Sequence, residues 1–575
     1  MDEKNSVAEP NTVQATAASP PSYGDLNSIR DSFGQRFLDS FKRDTNVHVT
    51  CGNVSNTDGT GFDVEQAAQN TAHSPLQRRL KGRTGLFVGS GVVLNTGGPA
   101  SVVIAYVLIG VMLYCTVHAL GEMAVLFPVA GSFSHYSTRF LDPAWGFAMG
   151  WNYALGWLIV LPLEIVAASI TIEYWSPGIS NAAWVAVFWA LIVSINLFGV
   201  RGYGEAEFVF SVIKVVAVVG FIILAIVINC GGGPERGYIS GKYWHNPGAF
   251  YNNFKGLYSV FINAAFAFGG TELVGLAAAE TANPRKSLPI AIKQVFWRIT
   301  FFYVVSLTLV GLLVRYNDER LIHKSSSANT HASLFVIAIE NAGIKVLPSI
   351  MNVVIMISVL SVGSSSVYSS SRTLAALAEQ GQAPQFLAYI DRKGRPLCAV
   401  YVASAIGLLC FLAASDEQIT AFGWMMAISG LSSIFTWGSI CLSHIRFRRA
   451  WKVQGHSVDD LPFKSQPGII GSWIGFIFNC LVLIAQFWVG FAPIGYAEMS
   501  ASDLAYNFFS VYLAAPVVLA FYIIYKIWFR TNFVRCHQVD LNYGRRDLHI
   551  QHLISQEKVD QAALPAWKKF YKLFC

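Results

Sequence analysis

The chain has 575 residues, of which 53% are hydrophobic and only 13% charged, with positive mean hydropathy and a formal net charge of +7. Soluble domains average about 25% charged residues, so this composition excludes an ordinary globular protein and points to lipid as the place where the apolar excess is buried. The positive balance is not a nucleic-acid signal, because Lys and Arg fall mostly in short loops and in the two tails.

Residues 1–80 read as a polar N-terminal tail, largely disordered and cytoplasmic. Its opening lacks the apolar core of a cleavable signal. A basic stretch, Arg78-Arg79-Leu80-Lys81-Gly82-Arg83, then runs into Thr84-Gly85-Leu86-Phe87-Val88-Gly89-Ser90-Gly91.

Beyond it, uncharged apolar runs recur at Pro99–Gly121, Ala144–Leu163, Ala183–Val200, Gly256–Thr271, Ile299–Val314, Val346–Ser371, Leu397–Ser415, Gln418–Ile445, Ser465–Ala497 and Leu504–Tyr525. One more, Phe208–Asn229, is broken only by Lys214. A spanning helix needs roughly 20 apolar residues, so each is a candidate crossing. Basic residues sort the connections. If Pro99 starts outside, loops after alternate spans hold 14 basic residues against 6 in the others, which sets the cytoplasmic side. Eleven spans with a cytoplasmic C-terminus would put Arg78 to Arg83 outside, against that rule. A twelfth crossing before Pro99 repairs the topology, yet Thr84–Gly98 would reach only about 22 Å of a ~30 Å hydrocarbon core.

Two places break the helical pattern with clustered glycine and threonine: Thr84-Gly85 with the residues after it, and Phe266-Ala267-Phe268-Gly269-Gly270-Thr271. Unwound backbone at membrane depth is tolerated only where it lines a cavity or is buried in protein, and paired interruptions mark a carrier's substrate site. Freed N–H groups there hold a carboxylate and freed C=O groups an ammonium, the two ends of an amino-acid backbone. The plainer alternative is that such glycines only let neighbouring helices pack closely. Phe266 and Phe268 are the natural apolar walls of a site at the second break, with Ser361 to Ser366 as polar neighbours.

Three ionisable residues fall inside apolar zones: Lys214, Glu164 and Glu272, the last one residue past the second break. Such groups are functional candidates by default, here for carrying or gating a coupled proton, against the alternative of structural ion pairs. Glu122, nearer a helix end, reads as a solvated structural residue. The nine cysteines show no disulfide or zinc spacing, and no nucleophile–base pair, metal-ligand set or phosphate loop suggests an enzyme or a cofactor. Residues 531–575 read as a cytoplasmic tail whose end, Leu564-Pro-Ala-Trp-Lys-Lys-Phe-Tyr-Lys-Leu-Phe-Cys575, suits an anionic membrane surface.

The runs TGLFVGSG (84–91), PASVVIAYVLIGVMLYCTVHALGEMAVLFPVAGSF (99–133), LPLEIVAASITIEYW (161–175), AEFVFSVIKVVAVVGFI (206–222), FAFGGTELVGLAAAETANPRKSLPIAI (266–292) and ISVLSVGSSSVYSSSRTLAALAEQGQAP (357–384) resemble the fungal amino-acid permeases of the amino acid–polyamine–organocation superfamily. The resemblance implies an all-α integral membrane protein of twelve helices over residues 81–530, the first ten forming two inverted five-helix repeats. It implies proton-coupled uptake of amino acids across the plasma membrane, with both termini cytoplasmic and a broad substrate range. It implies a coupling role for Lys214, a gating role for Glu272, ubiquitin ligases acting on Lys4 and Lys42, and palmitoylation at Cys575. Relative to the family, about a dozen apolar residues before Thr84 are missing, so the first half of the first helix is absent. That departure leaves two further readings open, a transport-impaired variant or faulty gene model, and a non-transporting amino-acid sensor of the same fold.

Overall fold

The computed structural model describes residues 39–42, 90–175, 178–234, 237–276, 284–322, 333–414 and 418–545. Thr84, Gly85, Lys4 and Cys575 lie outside them. Every regular element described is helical: α1 (Ser90–Leu126), α2 (Phe133–Phe140), α3 (Pro143–Ile172), α4 (Asn181–Leu197), α5 (Gly199–Asn229), α6 (Asn253–Phe268), α7 (Leu273–Leu276), α8 (Pro284–Arg298), α9 (Ser306–Leu313), α10 (Glu319–Ile322), α11 (Leu334–Glu340), α12 (Leu347–Glu379), α13 (Leu397–Gly407), α14 (Gln418–Val453), α15 (Gly468–Phe491), α16 (Ala501–Tyr512) and α17 (Ala514–Phe529). Among the described residues, eight helical spans are long and apolar enough to cross a bilayer, or nine if a bent pair is counted as one. The chain is an all-α, multi-pass membrane protein.

The helices outrun the charge-free runs. α5 begins at Gly199, so Glu205 and Glu207 belong to the same helix as Lys214. α8 begins at Pro284 and continues through a π-helical stretch, Ile299–Val305, into α9, which places Lys293 on a helix where the charge pattern suggested a loop. The last apolar run is not one helix: α16 and α17 meet at 65°. Pro516, in the first turn of α17, has no N–H to offer the Tyr512 carbonyl, and the ladder stops there.

α3 and α12 form the centre of the molecule and are buried along most of their length. Large apolar side chains on α5, α15 and α17 point outward, including Val216 (66% exposed), Ile470 (71%) and Trp528 (79%). Such a surface suits lipid, where apolar exposure carries no penalty.

α1 contains the first interruption. Gly98 stands at φ 79°, ψ 165°, joining Ser90–Gly97 to the long helix that opens at Pro99. Segment 249–251 takes up the backbone groups freed there: Ala100 N–H donates to Ala249 O (2.9 Å) and Tyr251 N–H to Gly97 O (3.0 Å). A Cβ on Gly98 would lie 2.9 Å from Ala249 O, so both the dihedral and the contact require glycine.

Residues 531–545, expected as the start of a tail, are instead folded against the helix ends. Val534 N–H donates to Leu141 O (2.9 Å), Arg139 Nε to Asp540 O (2.7 Å), and Val539 and Leu541 are buried. Asp142, the N-cap of α3, accepts from Ala144 N–H and Thr531 Oγ1 and pairs with Lys526. In the expected N-terminal tail, the described residues 39–42 form a docked turn: Arg395 donates to Ser40 Oγ (3.0 Å), and Asp39 pairs with both Lys42 (2.7 Å) and Arg392.

Candidate functional site

α6 ends at Phe268 and α7 starts at Leu273, with Gly269-Gly270-Thr271-Glu272 unwound between them and buried among neighbours. Gly270 has φ 86°, open only to glycine at low cost, and a Cβ there would meet the Trp157 ring at 3.2 Å. The end of a helix leaves carbonyls without partners. Here Phe266 O accepts from Gly269 N–H (3.0 Å), Ala267 O from the Tyr303 hydroxyl (2.8 Å), and Phe268 O from Thr271 Oγ1 (2.8 Å). Tyr303 lies on the π-helical stretch, whose wider turn carries its ring against Phe268 at 4.1 Å between centroids.

The buried Glu272 carboxylate folds back onto the break. Oε1 accepts from Gly270 N–H (3.2 Å) and the Tyr153 hydroxyl (3.3 Å), and Oε2 accepts from Trp437 Nε1 (3.2 Å). Three donors from α3, α14 and the unwound turn thus converge on one carboxylate. An N–H group released by the break is held by the protein's own carboxylate.

Phe266 and Phe268 do not form one wall. Two positions apart on a helix, they point about 200° from each other. Phe268 packs against Tyr106 and Tyr303 between α1 and the π-helical stretch, while Phe266 sits beside Gly430 of α14. Ser361 to Ser366 face elsewhere too: Ser364 accepts from Asn196 of α4, Ser365 lies 3.1 Å from the Tyr203 hydroxyl of α5, and Ser366 bonds Gly363 O in its own helix.

Lys214 is buried and paired. Nζ donates to Glu207 Oε1 at 3.2 Å and to Ser361 Oγ at 2.7 Å, and Ser361 Oγ donates to Glu207 Oε2 at 2.6 Å. Glu164 is buried where α3 crosses α12 at Gly363, and among the described residues its Oε2 has no hydrogen-bond partner. It lies seven residues beyond Trp157 on α3, about 10 Å along the axis. The three sequence candidates therefore occupy three distinct environments around α3 and α12. Glu122 is not solvated: it is fully buried, accepts from Arg448 Nη2 (2.7 Å) and Ser465 N–H (2.7 Å), and lies 3.0 Å from His444 Nε2.

Sequence reasoning missed Glu207, Tyr153, Trp437 and Tyr303. Glu207 had a readable signal, since positions i and i+7 share a helix face. The other three come from distant segments whose approach only the packing defines.

A buried helix break, closed by hydrogen bonds and set among membrane-length helices, is the arrangement expected of a membrane carrier. The amino acid permease family profile matches residues 80–538, and the chain belongs to that family. It is 55% identical over 559 residues to the general amino-acid permease GAP2 of Candida albicans, covering 94% of this chain and 93% of that protein. It is 49% identical to the general amino-acid permease GAP1 of Saccharomyces cerevisiae over 582 residues (96% and 94%), and 49% to a histidine permease of the same yeast over 559 residues (94% and 92%). The chain is an amino-acid permease that carries its substrates across a membrane, and not an enzyme.

Proposed function

We propose that this permease takes up a broad range of amino acids with protons across the plasma membrane, with both termini in the cytoplasm. The observation that carries the reading is the Glu272 carboxylate on the Gly270 amide at the α6 break. A substrate carboxylate that replaces it would bind the unwound turn Gly269-Gly270-Thr271 and the helix end Phe266-Ala267-Phe268 before it, with Thr84 and Gly85 as proposed partners. Glu272, displaced, would open a gate and exchange a proton, with Lys214 and Glu164 as the other groups through which coupling runs. Breadth follows from main-chain recognition, since every amino acid presents the same backbone. Lys4, Lys42 and Cys575 are the proposed regulatory positions, the lysines as ubiquitin acceptors and the cysteine as a palmitoylation site. The segments 1–80, 81–530 and 531–575 are the proposed N-terminal, transport and C-terminal units, the last beginning with the folded strap 531–545.

The deciding experiment is uptake of labelled amino acids by a permease-deficient fungal strain expressing the chain, with and without a proton gradient. Saturable accumulation that survives collapse of the gradient would sink the coupling.

A second reading, a transport-impaired product with an incomplete first helix, is favoured by one observation. Arg83 abuts Thr84 directly, so the basic stretch runs into the glycine-rich segment with no apolar run between them. Sequencing the transcript across codons 83 and 84 decides: an apolar insert there removes this reading, and an uninterrupted Arg83-Thr84 junction supports it.

A further inference from the structure

Two cavities meet where α14 and α17 end. One, about 820 Å³, is lined by Arg446, Arg449, Arg535 and His537, with Val453 and Phe533 at its edge, and no carboxylate is among its lining residues. Arg446 is partly committed, donating through Nε to Phe140 O at 3.3 Å and through Nη2 to Val534 O. Arg449, Arg535 and His537 are exposed, and among the described residues no carboxylate engages them.

The second cavity, about 620 Å³, runs between α14, α15 and α17 and the start of α3. Trp145, Phe435, Phe476, Leu483 and Tyr522 line it, and it shares Arg446 and Phe533 with the first. Nearby on α17, Ile527 (71%) and Trp528 (79%) are exposed, as is Phe533 (66%), which sets the apolar cavity at the depth of lipid.

A cationic hollow joined to an apolar cleft fits one kind of occupant. A free anion would fill only the first and leave the second empty. A neutral or zwitterionic lipid would leave three guanidinium groups without a net counter-charge. We propose that the double cavity is a site for an anionic phospholipid: Arg449 and Arg535 hold the headgroup phosphate, His537 lies beside it, and an acyl chain lies in the cleft. The supply of such lipid rests on the proposed orientation, because anionic lipids are concentrated in the cytoplasmic leaflet. Arg446 links this site to the folded strap, since the side chain that borders both cavities also holds Val534. A bound lipid would thus fasten the strap to α14.

The test uses the full-length protein, purified and stripped of lipid, with fluorescent phosphatidylserine as the probe. R449Q/R535Q is expected to bind it at least about tenfold more weakly than the parent, at roughly fivefold per basic residue lost near a membrane surface. Both side chains are exposed, so thermal unfolding in phosphatidylcholine should match the parent and show that the variant is folded. Unlabelled phosphatidylserine should displace the probe, whereas glycerophosphoserine and inorganic phosphate should need at least about a hundredfold higher concentration, because each buried CH₂ adds to lipid affinity. Equal binding by parent and folded variant overturns the proposal. Displacement by phosphate at lipid-like concentration also overturns it, making the hollow a soluble-anion site. A C-terminal tag found outside intact cells would remove the orientation alone and leave the binding result standing.

Discussion

Ser361 Oγ closes a ring between Lys214 and Glu207, accepting from the ammonium at 2.7 Å and donating to the carboxylate at 2.6 Å. The ring clips α5 to α12 deep in the protein, where the two charges face each other at 3.2 Å. Removing one partner of a buried pair costs about 3–5 kcal/mol, while replacing both with well-packed neutral groups is often nearly neutral. E207Q and K214M are therefore expected to unfold at clearly lower temperature than the parent, and K214M/E207Q to recover most of that loss. S361A should cost about 1 kcal/mol. Thermal unfolding of the purified proteins gives the cycle; single losses that simply add in the double variant would show that the pair is not coupled.

The same variants separate stability from transport. If Lys214 carries the coupled proton, K214M/E207Q should still exchange external for internal substrate across a vesicle membrane, yet fail to accumulate it under a proton gradient. Accumulation at parental levels in that variant would remove Lys214 from the coupling machinery.

Gly270 is the residue on which the break depends. G270A places a side chain at φ 86° and within 3.2 Å of the Trp157 ring, a left-handed cost of roughly 1–2 kcal/mol before the ring has moved. Uptake is expected to fall at least about tenfold, because a small misplacement at a binding site is amplified in rate. Surface abundance, read with a fluorescent fusion, should stay within about half of normal. Normal uptake by G270A would mean the turn is not where substrate is held.

The break at Gly269-Gly270 was readable because glycine and threonine interrupt an apolar run there, whereas the interruption at Gly98 lies beyond the first glycine cluster that the sequence singles out, and Thr84-Gly85 lies outside the described residues. The site around the second break was only half readable. Gly269, Gly270 and Glu272 are adjacent in the chain, but Tyr153, Trp437 and Tyr303 arrive from α3, α14 and the π-helical stretch, and only tertiary packing sets that convergence. Lys214 was visible as a charge in an apolar run, whereas Glu207 was hidden by treating the charge-free run as the helix. Glu122 was misread for a related reason: closeness to a helix end suggested water, but α14 and the segment before α15 cover it. A charge pattern records where charges stand along the chain, not what folds over them.

The Tyr153, Trp437 and Gly270 donors to Glu272 need not matter equally. W437F removes the contact to Oε2, and Y153F removes one of two contacts to Oε1 while Gly270 N–H stays in place. A hydrogen bond to a charged group is worth about 1.5–3 kcal/mol. If substrate must displace this carboxylate, loosening it should favour binding: both variants are expected to show a lower KM together with a lower maximal rate, more so for W437F. Kinetic uptake curves corrected for surface abundance distinguish this from simple damage, in which KM rises or stays put while the rate falls.

The loop after α9 makes a prediction about acid. Arg320 donates to both Asp318 oxygens, through Nε to Oδ1 (2.9 Å) and Nη2 to Oδ2 (2.8 Å), and reaches Glu340 at 3.3 Å. Burial pushes the half-buried Asp318 carboxyl up, but the hydrogen bonds and charge of Arg320 outweigh it and hold the group below its ordinary value of 3.8. With the folded pKa below the unfolded one, the unfolded chain takes up the proton first as pH falls, so this contribution is complete above about pH 5 and fades below 3.8. D318N lacks it at every pH. Thermal unfolding at pH 7 should put D318N below the parent by a modest margin, since the pair is partly exposed and screened. The gap should narrow steadily as the pH is lowered from 5 toward 3, while both proteins lose stability from their other carboxylates. A gap that stays constant over that range would mean the Arg320 fork stabilises the loop through geometry and not through the charge on Asp318.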